Sequence, residues 1–113
     1  MTIYVFDIDG TICSNTFGEY KKAEPIKAII NIINNLYDSG KTIIFQTARG
    51  MGSSGNNTQL AVEKWREFTL LQLEKWGVKY HQLFLGKPAG DIYIDDKGQG
   101  DALFFENYLG GDV

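Results

Sequence analysis

The sequence is poor in cysteine and proline, and it has no long apolar run. One of its 113 residues is cysteine (Cys13) and two are proline. A single cysteine cannot form an internal disulfide, which fits a reducing compartment and favours a cytoplasmic location. No apolar run approaches the roughly 20 residues that a membrane span requires, and the acidic Asp7 comes too early for a signal peptide. We therefore expect a soluble protein with no membrane contact.

An excess of positive charge is also missing. The net charge is −3 at pH 7, from 11 Lys and Arg against 14 Asp and Glu, so no electrostatic attraction to nucleic acid is expected. Hydrophobic residues make up 43% of the chain and charged residues 22%, which is the composition of an ordinary globular protein. At this length a single domain over residues 1–113 is predicted, with a core of its own.

The spacing of apolar residues predicts alternating strands and helices. Strands are predicted over four short apolar segments: 2–6, 42–47, 80–85 and 91–95. Helices are predicted over three segments: 25–40, 58–77 and 102–105. This alternation predicts an α/β fold with a mainly parallel sheet flanked by helices. In such sheets ligands bind beyond the carboxyl ends of the strands.

Two carboxylates end the first predicted strand. Side chains two residues apart on a strand point the same way, so those of Asp7 and Asp9 are expected about 6.6 Å apart along it. A metal ion or a phosphoryl group fits between them. Gly10 permits a tight turn, so that N–H groups of the loop through Thr11 can face an anion. The simpler alternative is that the two acids only mark a strand-to-loop junction, where Asp is common.

Polar side chains also follow the other three predicted strands. Thr47 and Arg49 follow the second strand, and Lys87 follows the third. The acidic pair Asp95 and Asp96 follows the fourth. Because parallel strands end at the same edge of a sheet, these side chains are expected to meet Asp7 and Asp9 there.

A phosphate monoester at this edge gives each of these groups a role. Asp7 is the candidate nucleophile, which would form a phosphoaspartyl intermediate, and Asp9 is the candidate general acid and base. The Thr47 hydroxyl can donate to a phosphoryl oxygen, and Lys87 adds a positive charge. Two negative charges 4 Å apart repel by about 4 kcal/mol at an effective dielectric of 20. Mg²⁺ bound by carboxylate oxygen would offset that repulsion.

This arrangement resembles the haloacid dehalogenase (HAD) superfamily over nearly the whole chain. The four motifs of that superfamily appear here in order, as Asp7-Ile8-Asp9-Gly10-Thr11, Thr47, Lys87 and Asp95-Asp96. In having an acid at the position of Asp9, the sequence resembles the phosphatases and phosphotransferases of the superfamily. The resemblance implies a three-layer Rossmann-like fold and a phosphatase activity.

The resemblance also implies a set of ligands. Mg²⁺ would be held by Asp7, by the backbone carbonyl of Asp9 and by one of the acidic pair, with Asp96 in direct contact and Asp95 in an outer position. Contacts with the substrate phosphate are expected from six residues: Gly10, Thr11, Thr47, Ala48, Arg49 and Lys87. For Arg49 the alternative is an ion pair with a surface carboxylate.

The chain has no room for the cap domain that covers most sites of this superfamily. Only residues 10–24 and about 48–57 are available for an insertion. The sequence thus resembles the small capless phosphatases associated with bacterial surface-polysaccharide synthesis, which implies a small phosphorylated substrate such as a sugar or polyol phosphate. An open site needs either a bulky substrate or a second subunit to complete it, so a homo-oligomer is one of the two alternatives.

The main alternative is a receiver-like phosphoacceptor module that regulates a partner. Such a module is also a small α/β domain that binds Mg²⁺ through acidic residues. It would carry its phosphoacceptor Asp after a strand in the middle of the chain, where this sequence has Thr47. Asp9 would have no role in it. We therefore expect a phosphoric monoester hydrolase.

Overall fold

The computed structural model describes residues 2–109. Within these residues there are three strands and three helices, with one short 3-10 helix at Tyr20–Lys22. The elements follow in the order β1 (Ile3–Phe6), α1 (Lys27–Asp38), β2 (Thr42–Thr47), α2 (Thr58–Lys75), β3 (Gln82–Leu85) and α3 (Asp101–Leu109). No helix in this described range is long and apolar enough to cross a membrane.

The three strands form one parallel sheet in the order β1-β2-β3. Phe6 of β1 lies level with Phe45 of β2, and Thr47 of β2 lies level with Leu85 of β3. Parallel neighbours need long crossover connections, and α1 and α2 supply them. The predicted α/β fold, with a parallel sheet flanked by helices, is confirmed.

Burial alternates along the strands. Ile43, Phe45 and Thr47 of β2 are buried, whereas the residues between them are partly exposed. The ring of Phe105 in α3 stacks on that of Phe6, with centroids 5.9 Å apart, and the apolar face of α1 joins the same core. On β1, Val5 is 52% exposed. The first strand is thus buried on one face only.

Local signals set the helix ends. Gly40, at a φ of 94°, follows α1, and its N–H donates to the Tyr37 carbonyl at 3.0 Å; a residue in this left-handed region is the usual end of a helix. Asn57 precedes α2, and its side-chain oxygen accepts the N–H of Leu60 at 3.1 Å, as an N-cap does.

The prediction of a fourth strand over residues 91–95 is wrong. Residues 91–95 are irregular, and every residue from 88 to 100 is exposed; we call this segment the arm. The Tyr93 hydroxyl donates to the Pro88 carbonyl at 2.6 Å and accepts the Gly90 N–H at 3.0 Å. The arm therefore curls on itself beyond β3, and no neighbouring strand within residues 2–109 takes up its backbone hydrogen bonds.

Candidate active site

Asp7 and Asp9 lie just beyond the carboxyl end of β1. The N–H groups of Thr11 and Ile12 both donate to the Ile8 carbonyl at 3.0 Å, which closes a tight turn between the two acids and α1. Gly10 in this turn has a φ of 84°, a conformation that glycine adopts without strain. The turn places both carboxylates at the edge of the sheet. The N–H groups of Gly10 and Thr11 donate to the carbonyls of Cys13 and Ile8, although they were expected to face an anion.

Lys87 approaches Asp7 from the side of β3. Its Nζ lies 3.6 Å from Asp7 Oδ1, and its backbone N–H donates to the Thr47 carbonyl at 3.2 Å. Burial raises the pKa of the Asp7 carboxyl, and the positive charge of Lys87 opposes that rise. The Lys87 ammonium also lies 4.3 Å from the centre of the Tyr93 ring. The structure thus brings Asp7, Thr47 and Lys87 together.

Thr47 is buried at the end of β2, with 1% of its surface exposed. Its Oγ1 accepts the backbone N–H of Arg49 at 3.1 Å. A hydroxyl that accepts one bond can still donate its own proton, which is the role that the sequence predicts for Thr47 towards a phosphoryl oxygen.

Arg49 is enclosed by protein, with its side chain 0% exposed. Its Nε and Nη2 donate to Asp9 Oδ2 and Oδ1, each at 2.9 Å. Its Nη1 donates to Thr69 at 3.2 Å and to Gln72 at 2.7 Å, both on α2. The structure therefore shows Arg49 in an ion pair with a carboxylate of the site itself, and its guanidinium faces protein groups where a substrate contact was expected.

The residues that surround this ion pair were not predicted from the sequence. The guanidinium carbon of Arg49 lies 4.9 Å from the centre of the Tyr20 ring. Gln72 Nε2 donates to the Tyr20 carbonyl at 2.9 Å, and the Tyr20 hydroxyl accepts the Gly50 N–H at 3.1 Å. A buried threonine and a glutamine on the inner side of α2 are the signals that could have indicated a buried charge.

Cys13 is close to the site, but its thiol is poorly suited to act as a nucleophile. The residue is fully buried, and its Sγ lies 3.6 Å from Asp9 Oδ1. Burial, together with the neighbouring Asp9 charge, raises the pKa of the Cys13 thiol to about 12. Because the thiolate is the nucleophilic form, Asp7 is the better candidate for the nucleophile.

A single chain does not bring the acidic pair of the arm to Asp7 and Asp9. In the described residues 2–109, no group of three or more His, Cys, Asp or Glu could hold a metal ion. Asp95 is exposed, and its Oδ1 accepts the N–H of Lys97 at 2.7 Å and that of Gly98. Asp95 therefore caps a turn within the arm, and Asp96 lies on the same exposed segment.

The oxygen atoms that do converge are suited to Mg²⁺. This ion prefers oxygen ligands, takes one or two carboxylates and keeps places for water and for substrate phosphate. The Asp7 carboxylate and the Asp9 backbone carbonyl fit that preference. Both carboxylate oxygens of Asp9 are held by Arg49, so the backbone carbonyl is the group of Asp9 that can serve as a ligand.

The loop after β1 also borders a cavity. Gly10 and Thr11 form one wall of this space of about 780 Å³, and residues of α3 form another. Ala48, the remaining predicted contact, follows β2 and accepts the Met51 N–H on its carbonyl at 2.8 Å. Cavities of this size hold small ligands, so there is room for a leaving group beside the loop.

Comparison with solved structures identifies the fold. The crystal structure of an MCSG target from Vibrio cholerae matches with a TM-score of 0.83 and 25% identity, over 92% of this chain and 87% of that chain. The crystal structure of D,D-heptose 1.7-bisphosphate phosphatase from B. bronchiseptica, complexed with magnesium and phosphate, matches with a TM-score of 0.54 and 14% identity. That second match covers 80% of this chain and 52% of the phosphatase.

These likenesses define a small α/β domain with a HAD-like Rossmann fold. The chain spans about half the length of the heptose bisphosphate phosphatase, so the likeness extends to the fold and not to the whole of that enzyme. No protein-family model and no curated sequence matches the chain.

Proposed function

We propose that the protein is a Mg²⁺-dependent phosphatase that hydrolyses a phosphate monoester through a phosphoaspartyl intermediate on Asp7. The observation that carries this proposal is the approach of Lys87 Nζ to within 3.6 Å of Asp7 Oδ1, at the common edge of three parallel strands. A carboxylate at that edge is the nucleophile, and the ammonium beside it attracts the phosphate. The shared fold with a phosphatase crystallised with magnesium and phosphate supports the same reaction class.

In the first step an Asp7 oxygen attacks phosphorus, and the bond to the leaving alkoxide breaks. Lys87 and the Thr47 hydroxyl stabilise the charge on the phosphoryl oxygens. Mg²⁺, held by Asp7 and by the Asp9 carbonyl, would supply the remaining positive charge that this step requires. Asp9 donates a proton to the leaving oxygen.

In the second step water attacks phosphorus and frees Asp7. Asp9, now ionised, takes the proton from that water. The Asp9 side chain is 18% exposed, so it is open to solvent on one side while the buried Arg49 holds it on the other. The two bonds from Arg49 fix the direction of the ionised carboxylate in this step.

The substrate that we propose is a small phosphorylated molecule such as a sugar or polyol phosphate, in the cytoplasm. The cavity of about 780 Å³ beside Gly10 and Thr11 has room for a leaving group of that size. A place in surface-polysaccharide synthesis follows from the resemblance to capless phosphatases, and a screen of sugar, nucleotide and polyol phosphates tests it.

Turnover of a generic aryl phosphate with Mg²⁺ tests the reaction class. We expect many equivalents of product from the wild-type chain, reversible loss of activity with a chelator, and no turnover by Asp7→Asn or Asp9→Asn. Asp38→Asn is a matched control, because Asp38 is exposed and pairs with Lys79. Undiminished turnover by Asp7→Asn would end the nucleophile assignment, and a single slow labelling event would favour the receiver-like module.

A further inference from the structure

The outer edge of β1 has the features of a strand that lacks a partner. Among residues 2–109, only β2 pairs with β1. Ile3 and Val5 on this strand are 60% and 52% exposed. An open edge with apolar side chains offers unpaired N–H and C=O groups to another strand.

The arm has the features of a strand that lacks a sheet. Ile92, Tyr93 and Ile94 are residue types typical of strands, yet they are 79%, 51% and 91% exposed. They lie directly before the acidic pair Asp95 and Asp96. A run of such apolar side chains in water is a common mark of an interaction site.

From these two observations we propose that two copies of the chain exchange arms. Residues 92–95 of one copy add to β1 of the other copy as a parallel strand, and this places the acidic pair beside the other copy's Asp7. The role of Asp95 and Asp96 at the second site rests on the proposed function. The pairing of the two strands is independent of that function.

The register of the added strand follows from the position of Asp7. For Asp96 to lie beside Asp7, Ile92 must lie level with Ile3. Ile3 is level with Thr42 of β2, five residues before the end of that strand. An antiparallel strand would carry the acids to the opposite end of β1, so only the parallel direction brings them to the site.

The arm cannot reach this position on its own copy. The backbone of Lys87 is bonded to the Thr47 carbonyl, on the β3 side of β2. From there to Ile92 in the added strand is about 14 Å across three strand spacings and about 16 Å along the strands, or about 21 Å in a straight line. The five residues from Lys87 to Ile92 span at most about 18 Å when fully extended.

A further contact shortens the reach. The Ala89 N–H donates to Asn56 Oδ1 at 2.8 Å, in the loop between β2 and α2. This bond holds the start of the arm on the side away from β1, and only two residues lie between Ala89 and Ile92. A second copy avoids the limit, because its arm approaches from outside.

The other end of the arm is compatible with exchange. The arm leaves the site at Lys87, and α3 begins at Asp101, which borders the cavity beside Gly10 and Thr11. Both ends of the arm therefore lie near the carboxyl edge of the sheet, which we call the rim. Two rims facing each other across a two-fold axis would let each arm reach the other copy.

A cysteine pair tests the strand pairing without reference to activity. In the proposed register Val5 of one copy lies level with Ile94 of the other, at a spacing that a disulfide can bridge. We expect Val5→Cys/Ile94→Cys to form a covalent dimer on mild oxidation, seen as a band of twice the chain's mass. Both side chains are exposed, so the fold should tolerate the change.

The matched control is Phe84→Cys/Ile94→Cys. Phe84 is 53% exposed and lies on β3, at the opposite edge of the sheet, so we expect no covalent dimer from this pair. The single substitutions Val5→Cys and Ile94→Cys, each made alone, show the background. An intrachain link, or no dimer above the control, would overturn the exchange.

A mixture of two inactive variants tests delivery of the acids. The Asp7→Asn variant lacks the nucleophile but keeps the acidic pair on its arm. The Asp95→Asn/Asp96→Asn variant lacks the acidic pair but keeps Asp7. Refolded together in equal amounts, they should recover roughly a quarter of wild-type activity, because half of the two-fold dimers are mixed and hold one complete site. Neither variant alone should turn over.

The two experiments distinguish failure of the proposed function from failure of the arm exchange. If the wild-type chain hydrolyses no phosphate ester, the proposed function fails and the cysteine pair still decides the exchange. If the wild type is active and the mixture is not, the acids are not delivered by the second copy and the proposal is overturned.

Discussion

At the residue scale, the contact between Asp9 and Arg49 joins groups 40 positions apart through two hydrogen bonds of 2.9 Å. A carboxylate that must act as acid and then as base gains from a fixed direction. Arg49 supplies it from a site that solvent does not reach. Under the proposed function Arg49 is a positioning residue, because it would act on substrate only through Asp9.

Arg49→Met should be costly for stability and for turnover. Removing one partner of a buried ion pair leaves the other uncompensated, so we expect a loss of about 3 kcal/mol in the free energy of unfolding. Arg49→Lys should keep more of the stability but not the paired bonds, with kcat reduced more than KM is raised. Urea unfolding and steady-state kinetics measure both quantities.

Arg66→Met is the control for this change, since Arg66 is exposed and donates to the Leu83 carbonyl. It should leave kcat unchanged. An Arg49→Met variant with wild-type kcat would show that Asp9 needs no positioning.

The raised pKa of Asp7 gives a prediction about stability. Burial is the main cause, and the folded pKa lies above the ordinary 3.8. The folded chain therefore binds this proton more tightly than the unfolded chain, so the contribution to stability is present below the ordinary pKa and is lost as pH rises through the folded pKa. At neutral pH the ionised Asp7 destabilises the fold.

Asp7→Asn should accordingly raise the melting temperature at pH 7. The gain should shrink towards pH 3, where Asp7 is protonated in the wild type. Thermal unfolding followed by circular dichroism measures it. A variant that is less stable than the wild type at pH 7 would mean that favourable contacts of the carboxylate outweigh its burial.

At the element scale, the loop after β2 depends on a close approach to α2. Gly50 has a φ of 77°, and a Cβ there would lie 2.6 Å from Trp65 Cδ1 and 3.1 Å from the Ala61 Cα. Gly55 in the same loop has a φ of 66° with nothing within 4 Å. The two glycines therefore separate backbone strain from steric contact.

Gly50→Ala should be more destabilising than Gly55→Ala. Both pay for the left-handed conformation, at roughly 1–2 kcal/mol, and Gly50→Ala adds overpacking of about 1–3 kcal/mol. Chemical denaturation of the two variants gives the difference. Equal losses would show that Trp65 moves aside without cost.

The elements also show what a sequence can and cannot predict here. β2 and α2 follow from local periodicity, and Asn57 and Gly40 mark helix ends through their own geometry. The strand predicted over 91–95 failed, because a strand needs a neighbour and the short link from Lys87 does not reach one. The contact of Arg49 with Asp9 was equally hidden, since no local pattern encodes a partner 40 residues away.

At the scale of the whole molecule, one small domain places Asp7, Thr47 and Lys87 at the carboxyl edge of one parallel sheet. The sequence order of Asp7, Thr47 and Lys87 predicted that placement, because parallel strands end together. The acidic pair Asp95 and Asp96 lies on the exposed arm, outside the site of a single copy. An exchanged arm would both complete the site and cover its open rim.

A covalent phosphoenzyme is the central claim, and chemical trapping tests it most directly. Borohydride reduces an acyl phosphate to an alcohol, so wild-type protein quenched during turnover of an aryl phosphate with Mg²⁺ should carry homoserine in place of Asp7. Peptide mass spectrometry detects this change at residue 7. Steady turnover with residue 7 unreduced in the quenched protein would contradict a phosphoaspartyl mechanism.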